Sequence, residues 1–113
     1  MSCTLPKEER LSGKTAVSAL MSKGRWSRTE HFRICVREGN GMEFNRIIAG
    51  VPKRFFKRAV KRNLLKRRIR EAYRTQKNLC GRSGLDILFS YNSAEILGSA
   101  EIASEIRAIL EKL

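Results

Sequence analysis

Acidic residues are scarce in this sequence. Of its 113 residues only 11 are Asp or Glu, against 24 Lys and Arg, a formal net charge of +13. Between Glu43 and Glu95 the only acids are Glu71 and Asp86, and helix and strand separate them. A metal-dependent nuclease needs several carboxylates converging on its ions, so no catalytic or metal-binding residue is expected in this chain. Histidine is nearly absent too. His31 stands alone on a predicted strand face beside Arg33, which reads as a surface or RNA-facing residue rather than an acid–base or metal group. The three cysteines, Cys3, Cys35 and Cys80, show no CxxC spacing, which argues against zinc and fits a reducing compartment. No apolar run approaches the length of a transmembrane helix. Met1 to Arg10 mixes charges and lacks the apolar stretch of a secretory signal, so the expected location is the cytoplasm. With 42% hydrophobic residues the chain has material for a core, and residues 1–113 read as one domain.

What is present is positive charge, and it is concentrated. The 22 residues from Lys53 to Arg74 hold 11 bases and one acid, which is +10 of the total +13. A solvated surface normally mixes charges of both signs, so this window points to a polyanionic partner.

Lys7 to Ser22 reads as an arm and a short helix, capped by Ser12 or Thr15, with Val17, Leu20 and Met21 at helical spacing and Lys23-Gly24 ending it. His31 to Arg37 alternates as a half-buried strand, with Phe32, Ile34 and Val36 on one face and His31, Arg33, Cys35 and Arg37 on the other. Asn40-Gly41 is a hairpin signal. Phe44 to Val51 reads as the next strand, with a possible break at Asn45-Arg46, and Pro52 ends it. Arg58 to about Asn78 is a helix closed by Gly81 and Gly84. Leu85 to Tyr91 suits a buried central strand. Ser99 caps a last helix whose stripe is Ile102, Ile106, Ile109, Leu110 and Leu113. The order α-β-β-α-β-α describes a small two-layer α/β sandwich. Trp26 falls in a loop, where stacking on RNA and covering the core edge are both open. For Phe55-Phe56 both core packing and stacking on RNA are open, with core packing slightly favoured.

At about 100° per residue, Arg62, Asn63, Lys66, Arg67, Arg70 and Arg74 share one helix face, beside an apolar stripe of Leu65, Ile69, Ala72 and Tyr73. Glu71 lies within helical reach of Arg67, Arg68 or Arg74. A leucine-zipper basic region would need heptads downstream, and Gly81 and Gly84 stop the helix first. A row of arginines on a packed domain suits structured RNA, which is read largely through shape and backbone.

The run Arg62-Asn63-Leu64-Leu65-Lys66-Arg67-Arg68-Ile69-Arg70-Glu71-Ala72-Tyr73-Arg74 resembles the signature of the bacterial ribonuclease P protein subunit. That signature reads Arg-Asn, two residues, Lys-Arg, two residues, Arg-Glu, an aromatic and often another base. Flanking matches fall in order: Arg10-Leu11, the first-helix residues, Phe32, Val51-Pro52-Lys53-Arg54, Gly84-Leu85-Asp86-Ile87-Leu88 and the last-helix residues Ile106, Leu110 and Leu113. The chain departs from the family at Leu64, where an Arg is usual, and at Tyr91, where a base is common.

The resemblance implies a fold of order αβββαβα, with about four strands and a left-handed βαβ crossover, against the usual right-handed rule. That arrangement is the one of the second domain of a small-subunit ribosomal protein. It implies an accessory subunit of an endonuclease that cleaves precursor tRNA to make the mature 5′ end. In that family the catalytic RNA subunit does the chemistry with Mg²⁺, which the RNA mainly holds, and no organic cofactor is used. The protein binds that RNA and the 5′ leader, and broadens substrate binding. Residue by residue, Lys53, Arg54, Arg62, Asn63, Lys66, Arg67, Arg70 and Arg74 carry over as the RNA-docking surface. Val17, Met21, Phe32 and Cys35 carry over as the leader cleft, where Val17, Met21 and Cys35 stand in place of the family's aromatics. No membrane or DNA partner is implied. The alternatives are a non-catalytic structural RNA-binding protein of the ribosomal type and a free-standing nuclease.

Overall fold

A computed structural model describes residues 7–113. Its elements run α1 (Lys14–Lys23), β1 (Arg25–Arg28), β2 (Phe32–Arg37), β3 (Arg46–Gly50), α2 (Ala59–Gln76), β4 (Asp86–Tyr91) and α3 (Ser99–Lys112), with short 3-10 turns at Lys7–Glu9 and Lys77–Leu79. The order αβββαβα is the one the family resemblance implied. The sheet is mixed, in the order β1-β2-β4-β3, with β3 parallel to β4 and the other pairs antiparallel.

The sheet separates two cores. On one side Phe32, Ile34, Ile47, Ala49, Ile87, Phe89 and Tyr91 pack under α2 and α3. Helix α2 contributes Leu65, Ile69, Ala72 and Tyr73, and α3 contributes Ile102, Ile106, Ile109 and Leu110, the two stripes read from helical periodicity. Phe56 joins this core 6.0 Å from the Tyr91 ring. On the other side Cys35 and Leu88 pack under Leu20 of α1, with Leu11 beside them and Ala16 and Ile48 against them. Strand β4 is nearly all buried, as its apolar run predicts.

Several local expectations change. Trp26 lies in strand β1, not in a loop. All four residues of β1 are exposed, so its sequence carries no alternating pattern. Strands β2 and β3 do not form an Asn-Gly hairpin, because β4 lies between them. Asn40 instead docks the connecting segment onto the start of β4: its Nδ2 donates to Leu85 O at 3.2 Å and Asp86 Oδ1 at 3.1 Å. The chain still turns there through glycines at positive φ, Gly39 and Gly41. The N-caps of α1 and α3 are glycines rather than Ser or Thr. Gly13 precedes α1, and Gly98 precedes α3, where its N–H donates to Glu101 Oε1 at 3.4 Å.

The turn from α1 into β1 depends on Gly24. A Cβ there would lie 2.4 Å from Cys35 Sγ and 2.6 Å from Leu20 O. Only glycine lets the end of α1 press so closely on β2.

Candidate nucleic-acid interface

Helix α2 presents the predicted row, but its members are not equivalent. Asn63, Arg67 and Arg70 are exposed, while Arg62, Lys66 and Arg74 are half-buried. Arg62 Nη1 donates to the carbonyls of Phe56 and Lys57, both at 2.8 Å, and so fastens the segment that enters the helix. Arg74 pairs with Glu71, and that partner pulls the Glu71 carboxyl below its ordinary range. Arg68, off the row, donates to Leu97 O at 2.6 Å. Asn63, Lys66 and Arg67 make no hydrogen bond or ion pair with described residues.

Lys66 and Arg70 also line a groove of about 340 Å³ with Arg10, Ser12 and Gly13, along the outer edge of β3. The N-terminal segment reaches that edge through Leu11 N–H, which donates to Ile47 O at 2.7 Å. No acidic side chain lines the groove. Burial, and then the nearby charge of Arg10, lower the pKa of Arg70 from its ordinary value. Both influences disfavour the guanidinium charge, and a nearby anion would oppose them.

The second surface lies beside α1. Strand register places Arg28 opposite Arg33, Arg33 opposite Ser90 and Ser90 opposite Gly50. By the same register the next row is Trp26, Cys35, Leu88 and Ile48, and Leu20 of α1 covers its centre. The row Arg28–Arg33–Ser90–Gly50 therefore forms a floor across all four strands alongside the helix. Arg28 and Arg33 are exposed, and a Cβ at Gly50 would meet only the Leu88 side chain, at 3.7 Å. Lys53 and Arg54 are exposed in the turn leaving β3 beyond Gly50, and link this floor to the entry of α2.

Of the predicted cleft residues, Met21 is exposed and Val17 half-buried on α1. Phe32 and Cys35 are corrections. Phe32 is fully buried under α2 and α3, because alternation along β2 turns it away from α1. Cys35 faces α1 but is sealed beneath it, with its Sγ donating to Leu20 O at 3.2 Å, and burial pushes the thiol pKa up. Arg28, Arg33 and Ser90 are the floor residues that sequence reasoning missed. Only the strand pairing, which a hairpin reading gets wrong, reveals them.

His31 is neither free nor simply surface. Its Nδ1 lies 2.8 Å from Glu105 Oε1 on α3, and its backbone N–H donates to Glu105 Oε2 at 2.8 Å. The hydrogen bond to Glu105 raises its pKa, against the opposing effect of burial. Glu105 also accepts from Thr29 Oγ1. Among the described residues no group of three His, Cys, Asp or Glu converges as a metal site would. No described helix is long and apolar enough to cross a membrane.

A four-stranded α/β domain with an acid-poor cationic helix face and groove is an RNA-binding domain of the ribonucleoprotein type. Residues 5–113 match the family described as Ribonuclease P. The ribonuclease P protein component of Syntrophus aciditrophicus is 32% identical over 109 residues, covering 96% of this chain and 90% of that protein. That of Ralstonia pickettii is 39% identical over 83 residues, covering 74% and 57%. Among solved structures, the RNase P protein from Thermotoga maritima shares the fold at a TM-score of 0.81 with 24% identity, over 93% of this chain and 97% of that one. The Staphylococcus aureus RNase P protein does so at 0.80 with 21% identity, over 92% and 94%. The chain belongs to the ribonuclease P protein family, which places it in tRNA processing with an RNA partner in the ribonucleoprotein.

Proposed function

We propose that this chain is the non-catalytic protein subunit that docks a catalytic RNA through α2 and receives the 5′ leader of precursor tRNA beside α1. The observation that carries the reading is the acid-free groove where Lys66 and Arg70 meet Arg10. Three cationic side chains lining one groove with no acid among its walls suit a phosphate backbone bound through its shape. The floor Arg28–Arg33–Ser90–Gly50 gives a single strand a path across the sheet.

The described residues do not fit a resident Mg²⁺. Asp86 is buried and held by Arg46, Glu71 is taken by Arg74, and Glu105 by His31 and Thr29. Bond cleavage, with its metal, is assigned to the RNA subunit, and this chain contributes binding and orientation. Reconstitution tests this. Precursor tRNA, the cognate RNA subunit and low Mg²⁺ are combined with and without the chain. Tighter binding or faster turnover of leader-bearing substrate is expected, and no change in either would overturn the reading.

A further inference from the structure

Trp26 and two arginines near it are exposed in ways that packing does not explain. Trp26 is the chain's only tryptophan, and 41% of it is exposed. It stands opposite Cys35, on the face of the sheet that α1 occupies. Its Nε1–H donates to Met21 O at 3.2 Å, which fixes the indole against the end of α1. The Arg33 guanidinium lies 4.8 Å from the ring centroid, a cation–π contact. Arg33 in turn directly opposes Arg28, and like charges opposite each other destabilise a strand pair. Neither arginine has a carboxylate partner among the described residues.

A partly exposed indole and an arginine pair without a carboxylate are both unfavourable in the free protein. An unpaired nucleotide relieves both, because its base stacks on the aromatic ring while its phosphates neutralise the guanidinium groups. A peptide would need an acidic and an aromatic side chain placed together to do the same, whereas each nucleotide carries an anion and a flat ring in one unit. We propose that Trp26, braced by Arg33, is the base-stacking platform for an unpaired nucleotide of the 5′ leader. It supplies from β1 what Val17, Met21 and the sealed Cys35 do not supply from α1 and β2. The inference rests on the leader-binding reading above and adds to it the residue that grips the strand.

Because Trp26 is the only tryptophan, its emission reports the contact directly. The chain is reconstituted with its RNA subunit and titrated with precursor tRNA or with mature tRNA. Leader-bearing substrate is expected to quench the emission along its binding curve, and mature tRNA is not. Trp26→Ala is expected to weaken leader-bearing substrate by about 5- to 100-fold, leave mature tRNA within about twofold, and lose most of that effect when Phe replaces Ala. Equal quenching by both RNAs, or a Trp26→Ala chain that binds both as the wild type does, overturns the platform. If the wild-type chain still favours leader-bearing substrate in that case, the leader reading survives. If the wild-type chain shows no leader dependence at all, both are overturned.

Discussion

Arg46 grips the fully buried carboxylate of Asp86 through two hydrogen bonds, Nε to Oδ1 and Nη2 to Oδ2, each 2.9 Å. The pair locks the first residue of β3 to the first residue of β4, where the parallel strands begin. Asn40 adds a third donor to Asp86 Oδ1. Removing one partner of a buried pair strands the other without compensation. Arg46→Met is therefore expected to lower stability by about 3 kcal/mol, the low end for buried pairs because Arg46 keeps some solvent contact. Pairing it with Asp86→Leu is expected to recover most of that loss. Urea unfolding of the single and double variants checks both, and a double variant as weak as the single would show that the ion pair itself, not the stranded charge, matters.

At Gly24 the close approach of α1 to β2 leaves no room for a side chain. Gly24→Ala would set a Cβ 2.6 Å from the Leu20 carbonyl oxygen, backbone that a side-chain rotation cannot move. The end of α1 must then lift from β2, with the strain of an overpacked site, about 1–3 kcal/mol. The expected result is a lower midpoint in thermal unfolding and a more reactive Cys35 thiol, because lifting α1 opens the seal over it. Unchanged thiol reactivity alongside full stability would mean that α1 already tolerates the shift.

Much of this was legible in the sequence. The stripes of α2 and α3 and the apolar run of β4 follow from periodicity, because those elements bury one face or both against the core. The basic row was legible because it follows the same 3.6-residue period as the apolar stripe beside it. Strand β1 was not legible, because Arg25, Trp26, Ser27 and Arg28 are all exposed and leave no alternation to read. The hairpin reading failed because Asn40-Gly41 turns the chain locally while the neighbour of β2 is chosen from far along it, by β4. The floor beside α1 depended on that neighbour: Arg33 is visible as a polar strand residue, but only its pairing with Arg28 and Ser90 makes a row across the sheet.

The His31–Glu105 contact should make stability pH-dependent in a defined direction. The Glu105 hydrogen bond raises the His31 pKa, and Glu30 and Glu95 add to it. The protonated ring is thus favoured in the folded state. Its contribution is complete below the ordinary histidine value of about 6.5 and is lost as pH rises through the higher folded value. For Glu105, burial acts upward, but the hydrogen bonds from Thr29 and His31 outweigh it and lower its pKa. Its contribution is present above the ordinary carboxylate range and is lost as pH falls through the folded value. The contact is therefore strongest between the two ranges, near pH 5–6. The melting temperature of the wild type is expected to fall above pH 6.5 relative to that of His31→Gln, and parallel curves for the two chains would remove His31 as the cause.

Arg62 and Arg67 lie in the same row of α2 but should fail differently when replaced by alanine. Arg67 is exposed and makes no hydrogen bond or ion pair among the described residues, so its replacement is expected to act on RNA binding and not on the fold. Arg67→Ala is expected to leave unfolding unchanged and to reduce the log–log salt slope of RNA binding by about 0.7–0.9, the release of one counterion. Arg62 spends its guanidinium on the carbonyls of Phe56 and Lys57 at the mouth of the helix. Arg62→Ala leaves those carbonyls without their charged donor and is expected to reduce stability by about 1.5–3 kcal/mol. Its loss of RNA affinity then comes through a loosened entry to α2, so it should be spread over the whole surface, with a smaller change in salt slope than Arg67→Ala. Measuring affinity from low to high salt beside urea unfolding for both variants separates the two roles. A salt slope that falls equally in both, with no loss of stability in Arg62→Ala, would put Arg62 on the RNA and not on the helix mouth.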